Sequence, residues 1–207
     1  MKESISGGVV RTDVTVQPHA GLDVLSGGIL IRAAVMKYGR LTVLSGGTAS
    51  GIKLSEYSYY AIESGGTATD IDANKKARGT FAVAPDTLIQ GEADGSAFLM
   101  NGGVLLGFRI GEDCCLKVSS GGTVVGTTVD SCGCLIVKSG GVAKSTEVLK
   151  VGTVNVLSGG TAAYTLVSGR LFIESGGTAL DVRKEEGAIV VAEEGAVVRY
   201  AKTPSDL

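Results

Sequence analysis

The sequence predicts an all-β protein, a right-handed parallel β-helix (β-solenoid) of about eleven turns with a period of about 19 residues. Three observations predict this fold. The triplet Ser-Gly-Gly recurs along the chain, apolar and polar residues alternate before each triplet, and glycine makes up 32 of the 207 residues. We expect a single solenoid domain over residues 1–207, with an irregular turn or loop insertion at about residues 70–101.

The repeat sets the length of one turn. Most successive triplets start 19 residues apart, and the triplets begin at Ser6, Ser26, Ser45, Ser64, Ser120, Ser139, Ser158 and Ser175. Asn101-Gly102-Gly103 is a variant of the triplet. Phe81–Thr87 aligns as a degenerate unit with LTVLSGGT, so that Phe81 matches Leu41 and Pro85 takes the place of the serine, and Val190–Ala196 aligns with FIESGGT. Together these units predict about eleven turns.

Each unit is predicted to form two short strands joined by a glycine corner. Apolar residues stand four and two positions before the serine, as Leu41 and Val43 do before Ser45. This period of two is typical of a strand with one buried face. A second strand follows the glycines, as at Ile52 and Leu54. Glycine reaches positive φ at little cost, so it accumulates at a corner that every turn repeats. Parallel crossovers are right-handed as a rule, which gives the predicted hand.

Charge and hydropathy exclude several classes of function. The formal net charge is −2 with scattered Lys and Arg, so we expect no nucleic-acid partner. No apolar run is long enough to cross a bilayer, so we expect no membrane insertion by this segment. His19, beside Pro18, is interpreted as a surface turn residue. The sequence indicates no acidic residue or serine that would form a catalytic triad with His19, and it contains no calcium-binding nonapeptide. We therefore expect no catalytic residue, metal or cofactor.

The repeat unit resembles that of AIDA-type autotransporter adhesin passengers. The resemblance rests on LTVLSGGTAS, AIESGGTATD, VNVLSGGTAA and LFIESGGTAL, which begin at residues 41, 61, 154 and 171. It implies a non-enzymatic virulence protein on the bacterial outer surface or outside the cell, as part of a longer exported chain. It also implies adhesion, autoaggregation or biofilm formation. The implied partners are a receptor or glycan on a host or bacterial surface, further copies of the chain, and a heptosyltransferase that glycosylates the repeats.

The same resemblance implies O-glycosylation of hydroxyls in the repeat. The implied acceptors are Ser45, Thr48, Ser64, Thr67, Ser120, Thr123, Ser158, Thr161, Ser175 and Thr178. A purely structural role for these residues, in corner hydrogen bonds, is the alternative.

Four cysteines depart from the cysteine-poor composition of such passengers. Cys115 and Cys134 each lie five residues before a triplet serine, so they fall in one column of adjacent turns. A spacing of about 4.8 Å lies within the Cα separations of disulfides. Cys114 and Cys132 are offset by one position, which makes a second bridge less certain. Disulfides, free thiols and a metal site all remain open, although the spacing matches no known zinc motif.

A β-helix polysaccharide lyase or glycan-binding module is the alternative function. A lyase needs clustered charged residues in a cleft. The charged residues of the irregular segment, interpreted as a solvated loop, are Asp70, Asp72, Lys75, Lys76, Arg78, Asp86, Glu92 and Asp94. Ice binding would need a regular threonine array, which Ile29, Val104 and Val142 interrupt.

The ends of the solenoid are expected to differ. No polar unit precedes Ser6, so the N-terminal turn is predicted to be open and available for end-to-end pairing. The charged segment 183–207 is expected to give the C-terminal end a modest cover.

Overall fold

Stacked parallel strands build the chain in the computed structural model, which describes residues 2–74, 76–93 and 96–202. Every regular element of this described part is a β-strand. The strands form a β-solenoid of about 10 turns with a period of about 19 residues, which confirms the predicted fold class. The chain divides into two compact units, Met1–Gly103 and Val104–Leu207. The single domain over residues 1–207 stays a prediction.

The first unit contains eleven strands. They are β1 (Lys2–Ile5), β2 (Val10–Val16), β3 (Gly21–Val24), β4 (Ile29–Val35), β5 (Arg40–Val43), β6 (Thr48–Leu54), β7 (Tyr59–Ile62), β8 (Thr67–Ala73), β9 (Arg78–Val83), β10 (Leu88–Ala93) and β11 (Ser96–Asn101). Strands β1, β3, β5, β7 and β9 pair in that order, and β2, β4, β6, β8, β10 and β11 form the second sheet. Pairing is parallel throughout except between β10 and β11.

The second unit contains fifteen shorter strands. They are β12 (Val104–Leu106), β13 (Arg109–Ile110), β14 (Cys115–Val118), β15 (Thr123–Val125), β16 (Thr128–Val129), β17 (Cys134–Val137), β18 (Val142–Lys144), β19 (Glu147–Val148), β20 (Thr153–Val156), β21 (Thr161–Ala163), β22 (Leu166–Val167), β23 (Arg170–Ile173), β24 (Thr178–Lys184), β25 (Ile189–Ala192) and β26 (Val197–Tyr200). A typical turn holds three of them, such as β14, β15 and β16. Each strand pairs in parallel with its counterpart in the next turn.

The core consists of columns that match the predicted ones. Leu41 and Val43 are fully buried, as are their counterparts in the other regular turns. Leu22 pairs with Leu41, and Leu116 with Leu135, so identical positions stack along the column. Burying each such side chain stabilises the fold by about 1.5–3 kcal/mol. The predicted strand faces are therefore confirmed.

The irregular part of the first unit reduces the number of turns from eleven to about ten. Strand β11 runs antiparallel to β10, with Met100 opposite Ile89. The strand before the Asn101 triplet therefore does not add a parallel turn to the solenoid. The alignment of Phe81 with Leu41 also proves wrong, because Phe81 pairs with Ile62. The corner that follows holds two more residues than a regular corner, and after it Leu88 pairs with Thr67.

Aromatic side chains fill the core of this irregular part. Tyr60 takes the place of leucine in the buried column, and its ring occupies the space that a Cβ on Gly79 would need. Tyr60, Phe81 and Phe98 follow one another at ring-centroid distances of 4.9 and 5.7 Å. Strands β7 and β9 keep the regular 19-residue offset around these rings, with Tyr60 opposite Gly79 and Ile62 opposite Phe81.

Charged residues occupy the inward columns of the first turn. Glu3 lies opposite Leu22, and Arg11 lies opposite Leu30, so both stand where regular turns carry core residues. Arg11 Nη1 donates to Glu3 Oε2 at 2.8 Å. Val9 and Val10 are about half exposed, and the availability of this turn for end-to-end pairing stays a prediction.

A column of buried threonines lies in the second unit. Thr127, Thr146 and Thr165 occupy the same position of successive turns and are 0%, 2% and 0% exposed. Their side-chain oxygens have no hydrogen-bond partner among the described residues. Apolar residues fill this position in other turns, as at Ala33, Ile52, Ile71 and Val182.

Candidate functional site

Two separate constraints fix the Ser-Gly-Gly corners. The first glycine has positive φ, +72° at Gly46. The second glycine of this corner, Gly47, has no such φ, but a Cβ on it would collide with the backbone carbonyl oxygen of Val24 in the neighbouring turn. The argument from positive φ therefore explains the first glycine only, and close packing of turns explains the second.

The predicted glycosylation sites fall into two groups. Ser45, Ser120, Ser158 and Ser175 are exposed at their corners, and Ser64 is half-buried. Ser64 Oγ lies 3.1 Å from Asp86 Oδ1, so this serine already has a hydrogen-bond partner. The threonines of the set are all half-buried at the start of the following strand, and they are Thr48, Thr67, Thr123, Thr161 and Thr178. Their role as acceptors stays a prediction.

Cys115 and Cys134 lie directly opposite each other in β14 and β17. Both thiols are free and half-buried. The hydrogen bond between the two thiols raises the pKa of Cys115, and the same bond lowers the pKa of Cys134 to about 7. Asn155 Nδ2 also lies 3.9 Å from Cys134 Sγ and further lowers the pKa of this thiol. The pair therefore gives up its first proton more readily than an isolated thiol.

The other two cysteines are not opposite each other. Cys132 is an exposed turn residue with positive φ. Cys114 is half-buried, and its backbone carbonyl accepts a hydrogen bond from the N–H of Cys134 and not from that of Cys132. In the described part of the chain, no three His, Cys, Asp or Glu side chains are grouped so as to hold a metal ion. The disulfide between Cys115 and Cys134 stays a prediction, as does a second one.

The charged residues of the irregular segment lie in different surroundings. Asp70 and Asp72 line an exposed cleft of about 440 Å³ with Arg32 and Lys53. Arg32 in this cleft donates two hydrogen bonds of 2.7 Å to Asp13, which lower the pKa of that carboxyl group. Asp86, Lys76, Arg78 and Glu92 do not line the cleft. Lys75 and Asp94 lie outside the described residues.

Sequence reasoning missed a cluster around His19. This residue is an exposed turn residue, as expected, but its ring stacks on Tyr38 of the next turn at 5.4 Å. Tyr38 stacks in turn on Tyr57 at 6.2 Å. The three residues are spaced by 19, so the period that revealed the core would also have revealed this column.

No helix that could span a membrane occurs in residues 2–74, 76–93 and 96–202.

Comparison with known proteins finds similarity among solved structures. No protein-family model matches the sequence. No curated protein matches it either. A solved structure that resembles this chain is the crystal structure of the TibC-catalysed hyper-glycosylated TibA55-350 fragment. It has a TM-score of 0.47 and 24% sequence identity, over 95% of this chain and 86% of that one. This degree of similarity does not place the chain in a family.

Proposed function

We propose that this chain is a repeat segment of a bacterial surface adhesin that acts by presenting a repetitive β-solenoid surface. The observation that carries the proposal is the regular array of exposed corner serines on stacked turns, together with the AIDA-type pattern of the repeat. Such a surface offers the same groups at a spacing of about 4.8 Å, which suits multivalent contact with a cell surface. The proposed partners are a receptor or glycan on a host or bacterial surface, and further copies of the chain.

The proposed location is the outer cell surface, where the segment would belong to a longer exported protein. Adhesion, autoaggregation and biofilm formation are the proposed activities. Buried apolar columns supply the rigidity that an extended surface needs, since every regular turn repeats the packing of its neighbour.

We propose that the chain is not an enzyme. The charged residues that a polysaccharide lyase would need are divided between the cleft at Asp70 and Asp72, the corner at Asp86, and the tyrosine column near Arg78. General acid and base groups must reach one substrate bond together. This division favours a binding role.

The exposed corner serines are the proposed acceptors for a heptosyltransferase. In that reaction the serine oxygen attacks the anomeric carbon of a nucleotide-activated heptose. A C–O bond forms, the nucleotide diphosphate leaves, and the hydroxyl proton passes to a base. Serines such as Ser45 and Ser158 are more accessible than the half-buried Thr48 and Thr161, so we expect them to be modified first.

Surface display tests the proposed function. Bacteria that carry the chain on an outer-membrane display scaffold should sediment faster and adhere better to cultured epithelial cells than bacteria with the scaffold alone. The folded surface is required, so Val137→Asp, which places a charge in a fully buried position, should abolish the effect. Equal sedimentation and adhesion with and without the chain would contradict the proposal. Cleavage of pectin or alginate by the purified protein would favour the lyase instead.

Co-expression with a heptosyltransferase tests the proposed modification. Intact-mass spectra should show additions in multiples of one heptose, and Ser158→Ala should remove one of them. Thr161→Val is the matched control in the same turn and should leave the first additions unchanged. Modification confined to the threonines would overturn the preference for exposed serines.

A further inference from the structure

A column of aromatic and basic residues occupies one corner of the first unit. His19, Tyr38 and Tyr57 stand at the same position of successive turns, because His19 N–H donates to the Tyr38 carbonyl and Tyr38 N–H to the Tyr57 carbonyl. Tyr57 N–H donates in the same way to the carbonyl of Lys76, which continues the column. All three aromatic residues have positive φ, between 54° and 62°. The repeat itself therefore aligns the rings.

Three cations converge on the ring of Tyr57. Lys37 Nζ lies 5.0 Å, Lys76 Nζ 5.5 Å and Arg78 Cζ 5.5 Å from its centroid. These distances are within the range of cation–π attraction. We call the set His19, Lys37, Tyr38, Tyr57, Lys76 and Arg78 the basic–aromatic ridge.

One carboxylate accompanies these cations. Glu56 Oε1 lies 3.3 Å from Lys37 Nζ, and Glu56 Oε2 lies 3.8 Å from Lys76 Nζ. The hydrogen bond with Glu56 raises the pKa of Lys37, so this lysine is charged at neutral pH. The three cations exceed the single carboxylate, on a chain whose formal net charge is −2. Positive charge is thus concentrated at this corner.

The adjacent column extends the positive surface. Arg40 pairs with Tyr59, and Tyr59 pairs with Arg78, so two arginines stand two turns apart. Strand spacing places them roughly 9–10 Å from each other. Arg40 is exposed, and Tyr38 and Tyr59 are 43% and 40% exposed. A ligand that lies along the stack would meet cations and phenol groups at regular intervals.

We propose that the basic–aromatic ridge binds an acidic polysaccharide, one that carries sulfate or carboxylate groups along its chain. Ammonium and guanidinium groups form their strongest hydrogen bonds with such anions. A polymer with regularly spaced charges matches a surface whose charges repeat with the turns. This proposal rests on the proposed function, since it names the class of glycan that the adhesion surface would bind.

The arrangement of the rings disfavours a nucleic-acid partner. Single-stranded nucleic acids bind by stacking bases on free aromatic faces. The rings of His19, Tyr38 and Tyr57 instead stack on one another with interplanar angles of 18° and 23°. The faces of Tyr38 and Tyr57 are therefore occupied by neighbouring rings and by the cations.

Binding to dextran sulfate tests the proposal. The purified chain should bind immobilised dextran sulfate and not neutral dextran, with an affinity that falls as salt rises. The double substitution Lys37→Glu and Lys76→Glu reverses two ridge charges and should weaken binding about tenfold or more. The matched control is Lys138→Glu with Lys150→Glu, which makes the same charge change at exposed lysines of the second unit. It should change the affinity by less than about twofold, and circular dichroism should show unchanged strand content in both variants.

Three results would overturn the ridge as the binding surface. They are equal losses in the two double variants, no binding of the wild-type chain to dextran sulfate, and displacement by single-stranded DNA at lower concentration than by dextran sulfate. Surface display separates this proposal from the proposed function. If bacteria that display the ridge variant adhere as well as wild type to cells bearing sulfated glycans, the ridge proposal fails while the adhesin proposal stands.

Discussion

Replacing the central buried threonine, Thr146, by valine should stabilise the protein. Thr127, Thr146 and Thr165 point into the core of the second unit, and their hydroxyl oxygens have no hydrogen-bond partner among the described residues. Valine has nearly the same shape as threonine, so the substitution replaces a hydroxyl by a methyl group without opening a cavity. The backbone bonds of this turn are unaffected, since the Leu166 N–H donates to the Thr146 carbonyl oxygen.

The magnitude follows from the cost of burying a polar group. A buried hydroxyl without a partner costs about 1–3 kcal/mol. Thr146→Val should therefore raise the free energy of unfolding by about 1–2 kcal/mol. For a chain of this size that corresponds to a rise in Tm of roughly 2–4 °C per kcal/mol. The triple variant should gain less than three times as much, because residues in adjacent turns are coupled.

Differential scanning calorimetry and urea unfolding measure the effect. Thr128→Val is the matched control, since Thr128 follows the equivalent buried Thr127, is half-buried and pairs with Glu147 in the turn of Thr146. Its stability should stay within about 0.5 kcal/mol of wild type. If Thr146→Val lowered the stability by about 1 kcal/mol or more while Thr128→Val was neutral, the Thr146 hydroxyl would have to be hydrogen-bonded, and the reasoning would be refuted.

Three further predictions concern the corner, the thiol pair and the core. Gly47→Ala should destabilise the fold by about 1–3 kcal/mol, because its methyl group would collide with a backbone carbonyl, whereas Gly111→Ala meets no atom within 4 Å and should be tolerated in urea unfolding. Alkylation of Cys134 by iodoacetamide should reach half its maximal rate near pH 7, where the hydrogen bond from Cys115 places its pKa, and a midpoint near 9 would contradict this. Val137→Asp should remove cooperative unfolding in the same assay, because it buries an unpaired charge, and wild-type stability would disprove the assignment of its column.

The regular turns could be predicted from the sequence because one local pattern is repeated. Each turn places Leu or Val at fixed distances from its Ser-Gly-Gly triplet, so Leu41 and Val43 define a column that the other regular turns continue. A parallel stack with a constant period brings equal positions together. Periodicity alone therefore predicted both the strand faces and the register between neighbours, such as that of Cys115 and Cys134.

The irregular turn could not be predicted in the same way. Phe81 keeps the regular 19-residue offset to Ile62, but Leu88 lies 21 residues after its partner Thr67, so the corner between β9 and β10 holds two extra residues. The antiparallel course of β11 breaks the assumption that like triplets stack in parallel. Columns at the surface were also overlooked, because the period was applied to apolar residues and glycines but not to His19 and the tyrosines that follow it.

The residues of the first turn bear on how copies of this chain could associate. Glu3 and Arg11 stand in inward columns, and their side chains are 53% and 46% exposed. An apolar turn of a second copy stacked on this face would remove both charges from water, at a cost of several kcal/mol for each ion before their mutual attraction is counted. Charged residues that point inward at a terminal strand are a known defence against edge-to-edge pairing. Stacking an apolar turn on Glu3 and Arg11 therefore has to overcome the cost of burying this ion pair.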